Sequence, residues 1–169
     1  MAIAVSQRFT PSGDLPVEAG RYRLVAAGSC PWCRRVLIAR RLLGLTEAIP
    51  VSWTYGKGAD GYWELTGPDG EPGVDPALGA RSLAEVHEKT PGYEPPPTVP
   101  ALVDMTTGEV VSDDSGDMLF DLSTAWWDLQ RPGAPDLYPL NRRNSTDAWD
   151  EWIDRKSTRL NSSHLELSR

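Results

Sequence analysis

Apolar and polar positions alternate at one period near the start of the chain and at another just after it. Tyr22, Leu24 and Ala26 alternate with Arg23, Val25 and Ala27, and residues 21–27 are therefore expected to form a strand that Gly28-Ser29 ends. Val36, Leu37, Ile38, Ala39, Leu42 and Leu43 recur at helical spacing and predict a helix over 31–43 with a broad buried face. Pro31 suits its first position, where a missing N–H is harmless, and Gly44 suits a left-handed stop. Ile49–Trp53 reads as a second strand. The three elements make a βαβ unit, in which parallel strands are joined by a crossover helix.

Residues 55–97 form a long excursion rich in glycine and proline, with a weak helical patch over 82–89. Ala101-Leu102-Val103 and Val110-Val111 then flank the turn Thr106-Thr107-Gly108 as a hairpin. Asp113, Asp114 and Ser115 are N-cap candidates for a helix over 116–127 whose apolar face is Met118, Leu119 and Leu122. The order βαβ then ββα is that of a thioredoxin-like α/β domain over residues 21–128. Residues 1–20 read as an arm without a period. Residues 129–153 read as a proline-rich linker and the start of a further helix, capped by Asn144 or Ser145 and carrying Trp149, Trp152 and Ile153.

The character of the chain changes after Ile153. Asp154-Arg155-Lys156-Ser157-Thr158-Arg159-Leu160-Asn161-Ser162-Ser163-His164 is the in-frame translation of a widely used sequencing adapter. Residues 154–169 are accordingly read as foreign and left out of the fold. On this reading the natural chain continues beyond Ile153.

Chemistry concentrates in Cys30-Pro31-Trp32-Cys33, which holds both cysteines of the chain. A Cys-x-x-Cys between a strand and a helix reads as a redox motif, because the unpaired N–H groups of the helix start stabilise a thiolate. Cys30 is the expected nucleophile, with Arg34 and Arg35 adding positive charge nearby. A structural zinc site needs four Cys or His ligands. With no second cysteine pair here, no metal is expected. His87 sits in a polar patch and is expected to be solvated, while Trp126-Trp127 and Trp149/Trp152 are expected to pack between domains. Neither a Ser-His-Asp set nor a phosphate-cradling loop is present.

A net charge of −7 and a pI near 4.8 argue against nucleic acid or an anionic membrane as partner. Residues 1–20 lack the basic start and apolar core of a signal peptide, and a cytoplasmic location is expected.

Several stretches together resemble the Xi-class glutathione transferases, or glutathionyl-hydroquinone reductases. They are Glu18-Ala19-Gly20-Arg21-Tyr22, Cys30-Pro31-Trp32, residues 38–45, Thr98-Val99-Pro100-Ala101-Leu102-Val103-Asp104 and Val110-Val111-Ser112-Asp113-Asp114-Ser115. The resemblance implies a thioredoxin-like glutathione-binding domain followed by an all-helical domain, of which this chain holds only the start. It implies a glutathione site in which Val99 pairs with the cysteinyl backbone, Pro100 is a cis-proline, Asp114 and Ser115 hold the γ-glutamyl end, and Trp63 touches the ligand. The implied reaction reduces an aromatic thioether, a glutathionyl-hydroquinone, through a Cys30–glutathione mixed disulfide. Tyrosines of the helical domain would assist the aromatic leaving group, and the parent protein would be a homodimer through that domain.

Two positions depart from the family pattern. Cys33 stands where alanine is usual and Asp114 where glutamate is usual. Cys33 is thus a candidate resolving thiol, and another low-molecular-weight thiol could replace glutathione. Two alternatives follow, a dithiol glutaredoxin-like disulfide oxidoreductase using Cys30 and Cys33, and an inactive fragment.

Overall fold

The computed structural model describes residues 5, 7–10 and 15–153; the adapter-like segment 154–169 lies outside the described residues. The chain divides into two compact units, residues 1–135 and 136–169.

The first unit is built on a five-stranded mixed sheet. Strands β1 (Tyr22–Ala26), β2 (Val51–Lys57), β3 (Trp63–Leu65), β4 (Ala101–Asp104) and β5 (Val110–Ser112) lie in the order β3-β2-β1-β4-β5. Helix α1 (Pro31–Leu42) connects β1 to β2, which pair in parallel with Leu24 beside Val51. The pairs β1/β4, β2/β3 and β4/β5 are antiparallel. Helix α2 (Leu83–His87) lies against β3, and α3 (Ser115–Thr124) follows β5 and packs on α1. This is the thioredoxin-like arrangement that the sequence pattern predicts.

Alternation along β1 sorts the core into two layers. Tyr22 and Leu24 pair with Asp104 and Leu102 on one face, where Val36 of α1, Met118 and Leu122 of α3 and Trp126 complete the packing. Val103 points to the other face, toward Leu78 and Val86. Helix α1 turns Cys33, Val36 and Ala39 inward, and Leu43, which caps its end, is also buried. Ile38 and Leu42, expected on the buried face, are 58% and 43% exposed because they lie about 120–160° around the helix from the centre of that stripe. Gly44 ends the helix at φ +78°, with the Leu45 N–H bonded back to the Arg40 carbonyl. A Cβ at Gly44 would lie 2.6 Å from Cβ of Arg131, whose backbone N–H reaches the Leu43 carbonyl at 2.9 Å.

The arm before β1 belongs to the core. Phe9 is buried edge-on against Tyr22 and Trp126, at centroid distances of 4.8 and 5.2 Å. Each such pair adds about 1 kcal/mol beyond its burial. The Gln7 N–H bonds to the Val111 carbonyl, and the Asp113 N–H to the Val5 carbonyl, both at 2.8 Å. Aperiodic residues can form such bonds because they use only the backbone.

Several expectations need correction. The excursion after residue 55 is not free of strand, since β2 runs on to Lys57 and β3 pairs with it around Gly56. His87 is wholly buried rather than solvated: α2 turns Leu83, Val86 and His87 inward together, and the His87 Nδ1 lies 3.0 Å from the Leu83 carbonyl. Trp126 is likewise buried inside the first unit, one turn past Leu122, while its neighbour Trp127 is 61% exposed. Helix α3 begins at Ser115 and ends at Thr124, and a short 3-10 turn, Trp127–Leu129, follows it.

In the second unit a 3-10 turn, Leu140–Arg142, leads into a helix over 143–153. The Tyr138 hydroxyl donates to Asp147 Oδ1 at 2.8 Å, and Trp149 meets Trp152 edge to face at 5.5 Å. Among the described residues no helix is long and apolar enough to cross a membrane.

Candidate active site

Cys30 sits where β1 has ended and α1 begins. Its extended backbone (φ −82°, ψ 119°) makes it the N-cap, and Pro31 takes the first helical position without leaving an unpaired N–H. The Cys33 N–H donates to Cys30 Sγ at 3.5 Å, and the carbonyl of Val99 lies 3.6 Å from the same sulfur. The thiol is partly exposed, as a nucleophile must be.

The two sulfurs are driven in opposite directions. The Cys33 thiol hydrogen-bonds to Cys30, and with the backbone N–H groups of Cys33 and Trp32 it outweighs burial and pulls Cys30 down to about 6. Donating that same hydrogen bond, with burial, pushes the Cys33 thiol up. Cys33 is fully buried, and its sulfur accepts the Ala27 N–H at 3.5 Å. Near neutral pH the resting pair is a Cys30 thiolate held by a Cys33 thiol.

The Val99–Pro100 peptide is cis, as the resemblance implied, and places Val99 opposite Cys30 just before β4. Across from α1, Asp114 caps α3: its Oδ1 accepts the N–H groups of Gly116 and Asp117 at 2.7 and 2.9 Å. Ser115 opens the helix, and its Oγ accepts from both Nε and Nη2 of Arg35, at 3.1 and 2.7 Å. The guanidinium of Arg35 also lies 5.0 Å from the ring centroid of Trp32. Asp113 faces the arm and accepts the Val5 N–H at 2.9 Å; burial pushes its carboxyl up, with that bond opposing the shift.

Cys30, Cys33, Val99 and Pro100 thus gather at one point, and the chain from Trp32 through Arg35 links them to Ser115 and Asp114. Trp63 stands apart. It opens the edge strand β3, two strands from β1, and its ring faces the Lys57 ammonium at 5.4 Å. Arg35 was expected only as positive charge near the thiol; its link to Ser115 joins residues 80 apart in sequence and has no local signal. Among the described residues no three side chains of His, Cys, Asp or Glu come together as a metal site.

Comparison with known proteins identifies the family. The family of the glutathione S-transferase N-terminal domain matches residues 29–125. The glutathionyl-hydroquinone reductase PcpF of Sphingobium chlorophenolicum is 37% identical over 133 residues, 77% of this chain and 41% of that protein. A glutathione transferase structure from Gordonia bronchialis DSM 43247 superposes with a TM-score of 0.78 at 42% identity, covering 86% of this chain and 46% of that one. The glutathione S-transferase Xi of Phanerochaete chrysosporium gives 0.80 at 32% identity, covering 90% of this chain and 53% of that one. The chain therefore spans about half the length of the relatives it matches. The matched stretch runs from the turn before Cys30 to the cap that closes α3, and the chain belongs to the glutathione S-transferase family and resembles its Xi class.

Proposed function

We propose that this chain is the thiol-bearing half of a glutathione-dependent reductase that acts on glutathionyl-hydroquinones. The observation that carries the reading is Cys30 at the N-cap of α1, its sulfur beside the Val99 carbonyl and the cis-proline Pro100. Residues 21–128 would bind glutathione, and residues 129–153 would begin a helical domain through which the parent dimerises. The Val99 backbone would pair with the cysteinyl backbone and Trp63 would touch the ligand. The Asp114 carboxylate would meet the γ-glutamyl ammonium, and Ser115 with the start of α3 its carboxylate.

Cys30 thiolate attacks the sulfur that joins glutathione to the aromatic ring. A disulfide forms as the carbon–sulfur bond breaks, the bonding pair passes to the ring carbon, and that carbon takes a proton to leave as the hydroquinone. A second glutathione thiolate then attacks the Cys30–glutathione disulfide, releasing glutathione disulfide and restoring Cys30. A resting thiolate of this kind calls for a reducing compartment such as the cytoplasm.

A second reading is favoured by the nearness of Cys33, whose backbone N–H donates to Cys30 Sγ at 3.5 Å and whose free thiol hydrogen-bonds to it. Cys33 would attack the mixed disulfide, expel glutathione and leave a Cys30–Cys33 disulfide for an external thiol to reduce, as in a dithiol oxidoreductase.

Mass spectrometry of the chain after exposure to a glutathionyl-hydroquinone tests the reading. A glutathione adduct on Cys30, with release of the hydroquinone and loss of both in Cys30→Ser, is expected. A folded chain whose Cys30 alkylates readily yet forms no adduct would sink it. Cys33→Ala separates the two cycles: turnover survives in the first and stalls at the adduct in the second.

A further inference from the structure

We propose that Arg35 is a positioning residue for the γ-glutamyl end of glutathione, acting through Ser115 rather than on the Cys30 thiol. The inference rests on the reading that Ser115 receives the γ-glutamyl carboxylate. A serine hydroxyl has one proton to donate and two lone pairs with which to accept. At Ser115 the accepting side is taken by Nε and Nη2 of Arg35. The hydroxyl proton is therefore turned away from the guanidinium and free to donate to an anion.

The guanidinium is held for this task. Trp32 lies beneath it, and it sits close over the first turn of α3, where a Cβ at Gly116 would stand 3.4 Å from Nη2 and 3.1 Å from Asp114 Oδ1. Arginine keeps its charge at any working pH and presents a rigid fork, so it polarises the hydroxyl while fixing its direction. Lysine would supply charge without the fork. The Cys30 thiolate is stabilised by the Cys33 thiol and by the backbone N–H groups of Cys33 and Trp32, whereas the guanidinium of Arg35 reaches Ser115. The same helix turn thus serves two ends of one ligand: Cys30 its sulfur, and Arg35 with Ser115 its carboxylate.

The test compares two disulfides on the 169-residue chain. Oxidised glutathione carries the γ-glutamyl group, whereas 2-hydroxyethyl disulfide does not; each reacts with Cys30 thiolate to form a mixed disulfide and release one thiolate. Loss of the free Cys30 thiol is followed by quenched alkylation and mass spectrometry, with free cysteine as the reference for intrinsic reactivity. Arg35→Met should slow the reaction with oxidised glutathione about tenfold or more, through weaker saturation, and leave 2-hydroxyethyl disulfide unchanged. Ser115→Ala should show the same loss, and the double variant no more than either. Arg35→Lys should recover only part of the rate. Equal slowing of both disulfides, or full additivity of the two substitutions, would overturn the role and leave the glutathione reading standing. An unaltered chain with no preference for oxidised glutathione beyond that of free cysteine would remove the reading, and the role with it. Unchanged reaction with 2-hydroxyethyl disulfide also certifies that each variant is folded.

Discussion

Arg8 grips Asp121 with two nitrogens of its guanidinium, Nε at 3.0 Å and Nη2 at 2.6 Å, and so ties the arm that precedes β1 to the middle of α3. Nη1 reaches Asp117 one turn earlier at 2.6 Å, and the Phe9 N–H donates to the second oxygen of Asp121 at 3.2 Å. Asp121 is buried, so its carboxylate depends on these donors. Arg8→Ala should lower stability by about 2 kcal/mol. The check is urea unfolding at neutral pH; an unchanged midpoint would show that this grip adds nothing.

The reactivity of Cys30 should follow pH as its surroundings dictate. The thiol titrates at about 6, so the rate of alkylation by iodoacetamide should reach half its plateau there. Cys33→Ala removes the largest of the influences that lower it, and the half-point should move to higher pH. A profile that does not move would mean that backbone N–H groups alone hold the thiolate.

His87 provides a pH dependence of stability. Burial lowers its affinity for a proton below the ordinary value of 6.5, with the bond to the Leu83 carbonyl opposing the shift. Between the lowered folded value and 6.5 the unfolded chain binds more protons, so the contribution is complete above 6.5 and is lost as pH falls. Denaturant midpoints measured at pH 7.5 and 5.5 should differ, and His87→Gln should flatten the difference. Equal slopes in both proteins would assign the acid sensitivity elsewhere.

Gly44→Ala should be costly for two separate reasons. Its φ of +78° is strained for any residue with a Cβ, and that Cβ would meet Arg131 at 2.6 Å. A loss of about 2–3 kcal/mol is expected in thermal or urea unfolding. A loss below about 1 kcal/mol would show that the chain after α3 gives way freely.

The parts of this fold that were legible in sequence are those whose signal is local. The alternation of β1, the Pro31 start and Gly44 stop of α1, and the Asp114 cap of α3 are each encoded within a few residues. What escaped depends on distant partners or on brevity. β3 has three residues and follows a glycine-rich turn, too little for a period to show. The arm docks through backbone bonds that no side chain announces. His87 and Trp126 did carry a signal, since Leu83, Val86 and His87 share one helical face and Met118, Leu122 and Trp126 are spaced by four. Polar neighbours in one case and a domain-boundary reading in the other concealed it. At the site, the cysteine pair was legible in the residues and cis-Pro100 in the family resemblance alone, whereas the contact from Arg35 to Ser115 needed the fold itself.

The backbone bonds from Val5 and Gln7 to the last strand of the sheet bear on how the protein behaves in company. A terminal strand presents a row of unused donors and acceptors, a ready template for another chain. Here the protein's own N-terminal residues occupy that row at Val111 and Asp113. A version of the chain trimmed to begin at Arg21 would lose the Phe9 packing and also bare the outer margin of β5, giving copies a place to pair side by side. Early residues that look dispensable in sequence would then decide whether the domain stays dispersed or gathers into aggregates.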